Sequence, residues 1–214
     1  MHFGFALAYN KTDFRIHTIK NSALPDTVIG GVTYGMKTIY TKSDPGFALG
    51  IITDFRLHQY IRLRFTPNIS FASRSLEYKL ENAKRDSTKE YKKSVESTFL
   101  IFPLELKLQS KRLDNFGAYV ILGGGYTMDL VSKKKPVSTG GANQLDDAVQ
   151  LKRDDYFYSG GAGVDFYLQY FKLGLELKVL QGTKNLKQPL NNIFTNSLEK
   201  VNSKMVIFSV TFEG

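Results

Sequence analysis

The chain has 214 residues with 29 Lys and Arg against 20 Asp and Glu, a formal charge of +9, and no cysteine. That length suits one sizeable core, the missing thiols exclude a disulfide scaffold and any thiolate metal site, and the positive balance leaves nucleic acid, anionic lipid or no particular partner open. No apolar run approaches the roughly 18 to 20 residues of a spanning helix, since the best are GFALGII at 46–52 and FLIFPL at 99–104, whereas 16 Phe, 12 Tyr and 18 Gly favour strands.

The first segment, MHFGFALAYN, alternates like a strand, with Phe3, Phe5, Leu7 and Tyr9 on one face. It lacks a basic region, an apolar core and a small-residue cleavage site, so an exported protein is expected to appear here in its mature form. Next, residues 46–57 place Phe47, Leu49, Ile51, Phe55 and Leu57 opposite Gly46, Ala48, Gly50, Asp54 and Arg56. The stretch from position 60 sets Ile61, Leu63, Phe65, Pro67, Ile69 and Phe71 against Arg62, Arg64, Thr66, Asn68, Ser70 and Arg74. Side chains of a strand point alternately to its two faces, so each is one strand with an oily and a polar side.

The pattern continues. Residues 97–109 set Leu100, Phe102, Leu104, Leu106 and Leu108 against Glu105 and Lys107. In FGAYVILGGGYTMDL, Phe116, Ala118, Val120, Leu122, Tyr126 and Met128 oppose Gly117, Tyr119, Gly123, Gly125, Thr127 and Asp129. In DYFYSGGAGVDFYLQ, Tyr156, Tyr158, Val164, Phe166 and Leu168 oppose Ser159, Gly161, Gly163 and Asp165. YFKLGLELKV alternates Phe171, Leu173, Leu175, Leu177 and Val179 with Lys172, Gly174, Glu176 and Lys178. The eighth strand carries Val206, Phe208, Val210 and Phe212 facing away from Ser209, Thr211 and Glu213.

Tight connections near 58–59, 110–115 and 169–170 alternate with long polar ones near 19–44, 80–94, 132–153 and 184–199. That rhythm predicts an all-β, eight-stranded, antiparallel up-and-down barrel with both termini at the short-turn end, closed because closure removes sheet edges. There is no linker and no repeat beyond the hairpin, so 1–214 reads as a single domain.

Two barrels fit: a soluble one with the oily face inside, and a transmembrane one with it outside. The polar face is crowded with Gly, Ala and Ser and carries both signs of charge, as a narrow eight-stranded lumen filled by side chains requires. Its candidate network is Asp54, Arg56, Arg62, Arg64, Arg74, Glu105, Lys107, Asp129, Asp165, Lys172, Glu176 and Lys178, which must interlock because an unpaired buried charge costs several kcal/mol. The oily face supplies lipid-facing candidates Phe47, Leu49, Ile61, Leu63, Phe65, Phe71, Leu104, Val120, Leu122, Phe166, Leu175, Phe208 and Phe212, with Tyr9, Tyr60, Tyr78, Tyr126, Tyr156 and Tyr170 towards strand ends. An apolar band between aromatic girdles over a polar interior favours the transmembrane barrel with a polar, side-chain-filled lumen, in a bacterial outer membrane with long loops extracellular and termini periplasmic.

Motifs for chemistry are weak. GGGYT at 123–127 and SGGAG at 159–163 lack phosphate-loop spacing and open no helix, so they read as close packing around the lumen. His2, His17 and His58 have no partner at metal-ligand spacing, His2 and His58 fall at the short-turn end, and a lumen full of ion pairs would exclude an acyl chain, so no metal, cofactor or catalytic role is assigned. Lys92, Lys93, Lys133, Lys134, Lys135, Lys152 and Arg153 are expected in external loops, where they would meet lipopolysaccharide phosphates or an acidic partner, or simply solvent. A basic face interleaved with aromatics is missing from the loops, so nucleic acid is not an expected partner, nor is a small-molecule substrate.

The segments GFALGIITDFRLHQYIRLRFTPNISFASRSLEY, FLIFPLELKLQSKRLDNFGAYVILGGGYTMDL, DYFYSGGAGVDFYLQYFKLGLELKVLQG and FSVTFE together resemble the PorT family of small outer-membrane barrels. The resemblance spans nearly the whole chain except the loops and rests on combinations such as FPLELK, YFKLGLELK and RLRFTP. The closing FSVTFEG also resembles the terminal-strand signal by which such barrels are assembled. The resemblance implies a non-enzymatic component of the type IX protein secretion system, linked to secretion and gliding in Gram-negative bacteria and working beside a larger translocon. It transfers no catalytic residue. A small channel or adhesin-type barrel, or a soluble lipocalin-like binder, are the other readings of these residues.

Overall fold

The computed structural model describes residues 2–18, 27–29, 32–82, 88–131, 152–186 and 198–214, with side chains for all of these except 16–18, 27–29, 32–41, 74–82, 88–95 and 198–199. Every regular element in them is a strand: β1 (His2–Thr18), β2 (Thr27–Ile29), β3 (Val32–Ser43), β4 (Pro45–Arg56), β5 (Ile61–Phe65), β6 (Asn68–Asn82), β7 (Thr88–Gln109), β8 (Phe116–Asp129), β9 (Asp154–Tyr167), β10 (Lys172–Gly182) and β11 (Leu198–Glu213).

These make eight staves of one closed antiparallel barrel. β3 runs into β4 and β5 into β6 as single staves, β1 pairs with both β11 and β4 to close the cylinder, and β2 is a short addition on β3. The short connections are hairpins. Leu57 and His58 N–H groups donate to the Ile61 carbonyl, Leu168 N–H donates to Phe171, and Leu113 and Phe116 exchange both backbone bonds around Asp114, whose φ of 48° an aspartate tolerates.

Walking once around the wall fixes its geometry. Bonded neighbours lead from Lys11 through Val206, Val179, Gly160, Leu122, Leu106 and Leu63 to Phe55. Lys11 itself faces Pro45, ten positions away on the same stave. A stagger of that size in eight strands tilts them by about 40° and leaves an interior just wide enough to be filled by side chains.

The strands extend beyond what alternation marks. Two of the expected long loops, near 19–44 and 80–94, are largely strand: β3 occupies 32–43, and β6 and β7 stay paired from Asn68↔Ile101 to Glu81↔Thr88. Lys92 and Lys93 therefore lie on β7, opposite Glu77 and Leu76, and not in a loop. The reason is physical: residues 81–94 are mostly polar or charged and give little hydrophobic alternation, while the ladder is made by backbone groups and continues. The expected loops at 132–151 and 187–197, with Lys133, Lys134 and Lys135, lie outside the described residues.

One stave is interrupted at mid-wall. Between Phe65↔Leu104 and Asn68↔Ile101 the ladder skips Thr66 and Pro67 opposite Phe102 and Pro103. Pro67 and Pro103 bring no N–H, so the gap leaves fewer donors to satisfy than two ordinary pairs would. Of the acceptors left over, the Pro67 carbonyl takes Ile51 N–H at 3.0 Å and the Thr66 carbonyl takes Asn68 Nδ2 at 3.0 Å.

Candidate functional site

The outward residues are apolar and exposed. Phe47, Leu49, Phe71, Leu104, Val120, Leu122, Phe166 and Phe208 stand on the outer face, and Ile61, Leu63, Phe65, Leu175 and Phe212 are half-buried among their neighbours there. Rings pair across staves: Phe5 stacks on Phe212 and Phe47 on Phe71, each at 4.8 Å between centroids, and Phe116 meets Phe166 edge-on at 5.7 Å. The inward residues hold the charge.

The inner network centres on Arg64, which is 1% exposed. Its Nε and Nη2 donate to the two oxygens of Asp54 at 2.7 and 2.9 Å, Nη2 also reaches Glu213 at 2.6 Å, and Nη1 reaches Glu176 at 3.3 Å. Such a planar donor set satisfies several carboxylates at once, which a lysine would not. Lys178 bridges Glu176 and Glu105 at 2.9 and 2.7 Å, and Ser159 Oγ donates to the other Glu105 oxygen at 2.7 Å. Lys172 pairs with Glu213, and Lys107 with Asp165 at 2.8 Å. Tyr119 donates to Glu176 at 3.1 Å, and its ring lies 3.6 Å from the Lys107 ammonium.

Position decides who joins. Every stave except β1 supplies a member, so the network crosses the lumen from wall to wall. Arg62 stands at its edge, 4.0 Å from Asp54. Arg56, expected in the network, is exposed and outside it: it follows Asp54 on the same face, but one step further along β4 it has left the lumen for the short-turn rim. Asp129 is buried at the other end of the barrel, where its Oδ1 accepts Val131 N–H at 3.0 Å and its carbonyl accepts Arg153 Nε at 3.1 Å. Arg74 sits on β6 opposite Ser43 and Val95, but its side chain lies outside the described residues. Glu213 and Tyr119 are central members that alternation placed on the inner face but charge counting passed over.

The lumen is polar and filled by side chains at the level of the ion pairs, but it also holds a layer that alternation did not reveal. Towards the long-loop end an apolar layer fills it: Ala72, Phe99, Ile101, Phe157, Leu180, Met205 and Ile207 pack together. At FLIF (99–102) both faces of β7 are oily, so alternation carries no contrast there.

Space between the staves is tight. A Cβ at Gly163 would stand 2.5 Å from Tyr119 Oη, so only glycine lets that phenol reach Glu176. The chamber beside Arg64, lined by Ala48, Gly50, Thr66, Asn68 and Thr211, measures about 30 Å³, a volume for a water or two, and Thr66 Oγ1, Asn68 Oδ1 and Thr211 Oγ1 have no protein partner there. Purified protein in planar bilayers should therefore give no single-channel steps. Repeated openings of uniform size would show that the ionic and apolar layers part under voltage.

Of the histidines, His2 is exposed and bonded to the Gly214 carbonyl at 3.2 Å, His58 is exposed beside Tyr60, and the side chain of His17 lies outside the described residues. Lys152 is exposed and Arg153 half-buried at the long-loop end.

No curated protein matches this sequence. Among solved structures, Neisserial surface protein A is similar over 98% of this chain and 95% of its own, at 12% identity and a TM-score of 0.47. OprG from Pseudomonas aeruginosa is similar over 98% and 94%, at 14% identity and 0.46. The outer membrane protease OmpT from Escherichia coli is similar over 99% and 95%, at 10% identity and 0.46. The family model described as an outer membrane protein β-barrel domain matches residues 1–188. A closed eight-stave wall, greasy outside and ionic within, is what that family's match implies at the level of residues, and the chain belongs to the outer membrane protein β-barrel domain family.

Proposed function

We propose that the protein is a non-enzymatic accessory or assembly factor of the type IX secretion system, a member of the PorT family acting beside a larger translocon. The observation that carries the reading is the lumen itself. Ion pairs from six of the eight staves, with the Tyr119 hydroxyl from a seventh, cross it and an apolar layer closes it above, so no polypeptide passes through this cylinder. Its work is done on its surfaces. In this reading the long-loop end faces outside, the short turns and both termini face the periplasm, and the partners are outer-membrane lipid, lipopolysaccharide and other secretion proteins. The PorT-like segments supply the choice of machinery, and His2 and His58 stand exposed at the short-turn end.

Deleting the gene should leave cargo bearing the C-terminal secretion signal in the periplasm, with export restored by the intact chain. Unchanged export in the deletion strain would remove the proposal. Mild detergent extraction followed by identification of co-purifying proteins should recover secretion components.

A further inference from the structure

On the outer wall where β11, β1 and β4 meet, an aromatic row ends abruptly in positive charge. Phe208, Tyr9, Phe47 and Phe71 are successive bonded neighbours across four staves, all outward and exposed. One outward step towards the long-loop end brings Lys11 on β1, and Lys204 stands on β11 opposite Asp13. Lys11 and Arg15 each lie diagonal to Lys204 on the same face, at the roughly 7 to 8 Å spacing of such neighbours. All three are exposed, while the intervening Asn10 and Thr12 are buried inside the lumen.

These cations are uncommitted. None of Lys11, Arg15 and Lys204 is ion-paired among the described residues. The carboxylate between them, Asp13, turns back to accept the Phe14 N–H at 2.7 Å; Asp44, the other acid nearby, is half-buried. The opposite wall differs. There the outward Tyr126 donates to Asp154 at 2.7 Å, Lys184 lies 4.2 Å over the Tyr156 ring, and Arg153 is bonded to the Asp129 carbonyl.

We propose that Lys11, Arg15 and Lys204 form a docking site for the phosphorylated headgroup of a bilayer lipid in the leaflet at the long-loop end. The aromatic row sets the depth, because Tyr and Phe at the top of an apolar band mark the headgroup level. The triad adds charge complementarity at that depth, where each basic side chain strengthens attachment to anionic lipid. The site belongs to the wall and not to the loops, so it stands whatever the secretion role proves to be.

The test uses the whole barrel reconstituted in phosphatidylcholine vesicles with and without bisphosphorylated lipid A, reading the thermal midpoint and the lipid phosphate retained per barrel after extraction. The wild type should gain several degrees from the lipid A and retain phosphate. The variant K11Q/R15Q/K204Q should match the wild type in phosphatidylcholine alone, lose that gain, and bind lipid A roughly tenfold more weakly. A control, K111Q/K152Q, removes exposed charge at the short-turn end and on the opposite wall and should keep the gain. Equal responses of the triple variant and the wild type would overturn the proposal. So would an equal loss in the control, which points to net charge, or the same gain from inorganic phosphate, which points away from a lipid. If the triple variant folds poorly, Lys204→Glu alone should reduce retained phosphate, and no reduction would count against the site.

Discussion

Arg64→Met should lower the folding free energy of the barrel by about 3 to 5 kcal/mol, the cost of removing one partner from a buried ionic network. The arithmetic of the lumen explains the size. Asp54, Glu105, Asp165, Glu176 and Glu213 are matched by Arg64, Lys107, Lys172 and Lys178, with Arg62 at the edge. Methionine fills similar space but removes one positive charge, leaving Asp54 without its two-pronged partner and Glu213 and Glu176 each without one hydrogen-bond donor. The chain has no tryptophan, so unfolding in urea is best followed by far-UV circular dichroism and by gel mobility of the folded band. Adding Asp54→Asn to Arg64→Met should recover part of the loss, because it removes the carboxylate most dependent on the arginine. A variant as stable as the wild type would mean that water already solvates these groups.

The second large effect concerns the other face. Leu122 is 57% exposed and lies midway along the outward row of β8 from Phe116 to Tyr126. Leu122→Arg should destabilise the barrel in lipid vesicles by about 2 to 4 kcal/mol, the cost of an arginine at the bilayer midplane, whereas Leu57→Arg at the short-turn rim should cost about 0 to 1 kcal/mol. Leu57 is exposed to a similar degree, 60%, so exposure alone predicts equal effects and only depth in lipid separates them. Equal tolerance at both positions would point to a wall facing water.

Most of the wall is legible in the sequence because a half-buried strand repeats every two residues, and that contrast survives wherever one face is oily and the other is not. It fails in three places, each for its own reason. At 99–102 both faces are apolar, so the inner layer built on Phe99 and Ile101 is invisible to alternation. Near 80–94 the sequence is mostly polar and charged and reads as loop, although the backbone ladder continues through Glu81↔Thr88. At Arg56 alternation gives the correct face but says nothing of depth, and the rim is where lumen becomes solvent. The network's membership was hidden for a further reason: Tyr119 carries no formal charge, and the partners of Glu213 are distant in the chain, Arg64 being 149 residues away.

Glu213 has a consequence for how the cylinder comes into being. It sits on β11, the stave that joins β10 to β1, and it contacts Arg64, Lys172 and, at 4.0 Å, Lys107. Lys172 meets this carboxylate within the β10–β11 pair, but Arg64 and Lys107, on staves remote from β11, gain it only when the sheet has rolled up. Partially wrapped forms are therefore penalised twice, by an open edge and by ion pairs across the lumen that are not yet made, which makes sealing of the ring an abrupt event rather than a gradual one.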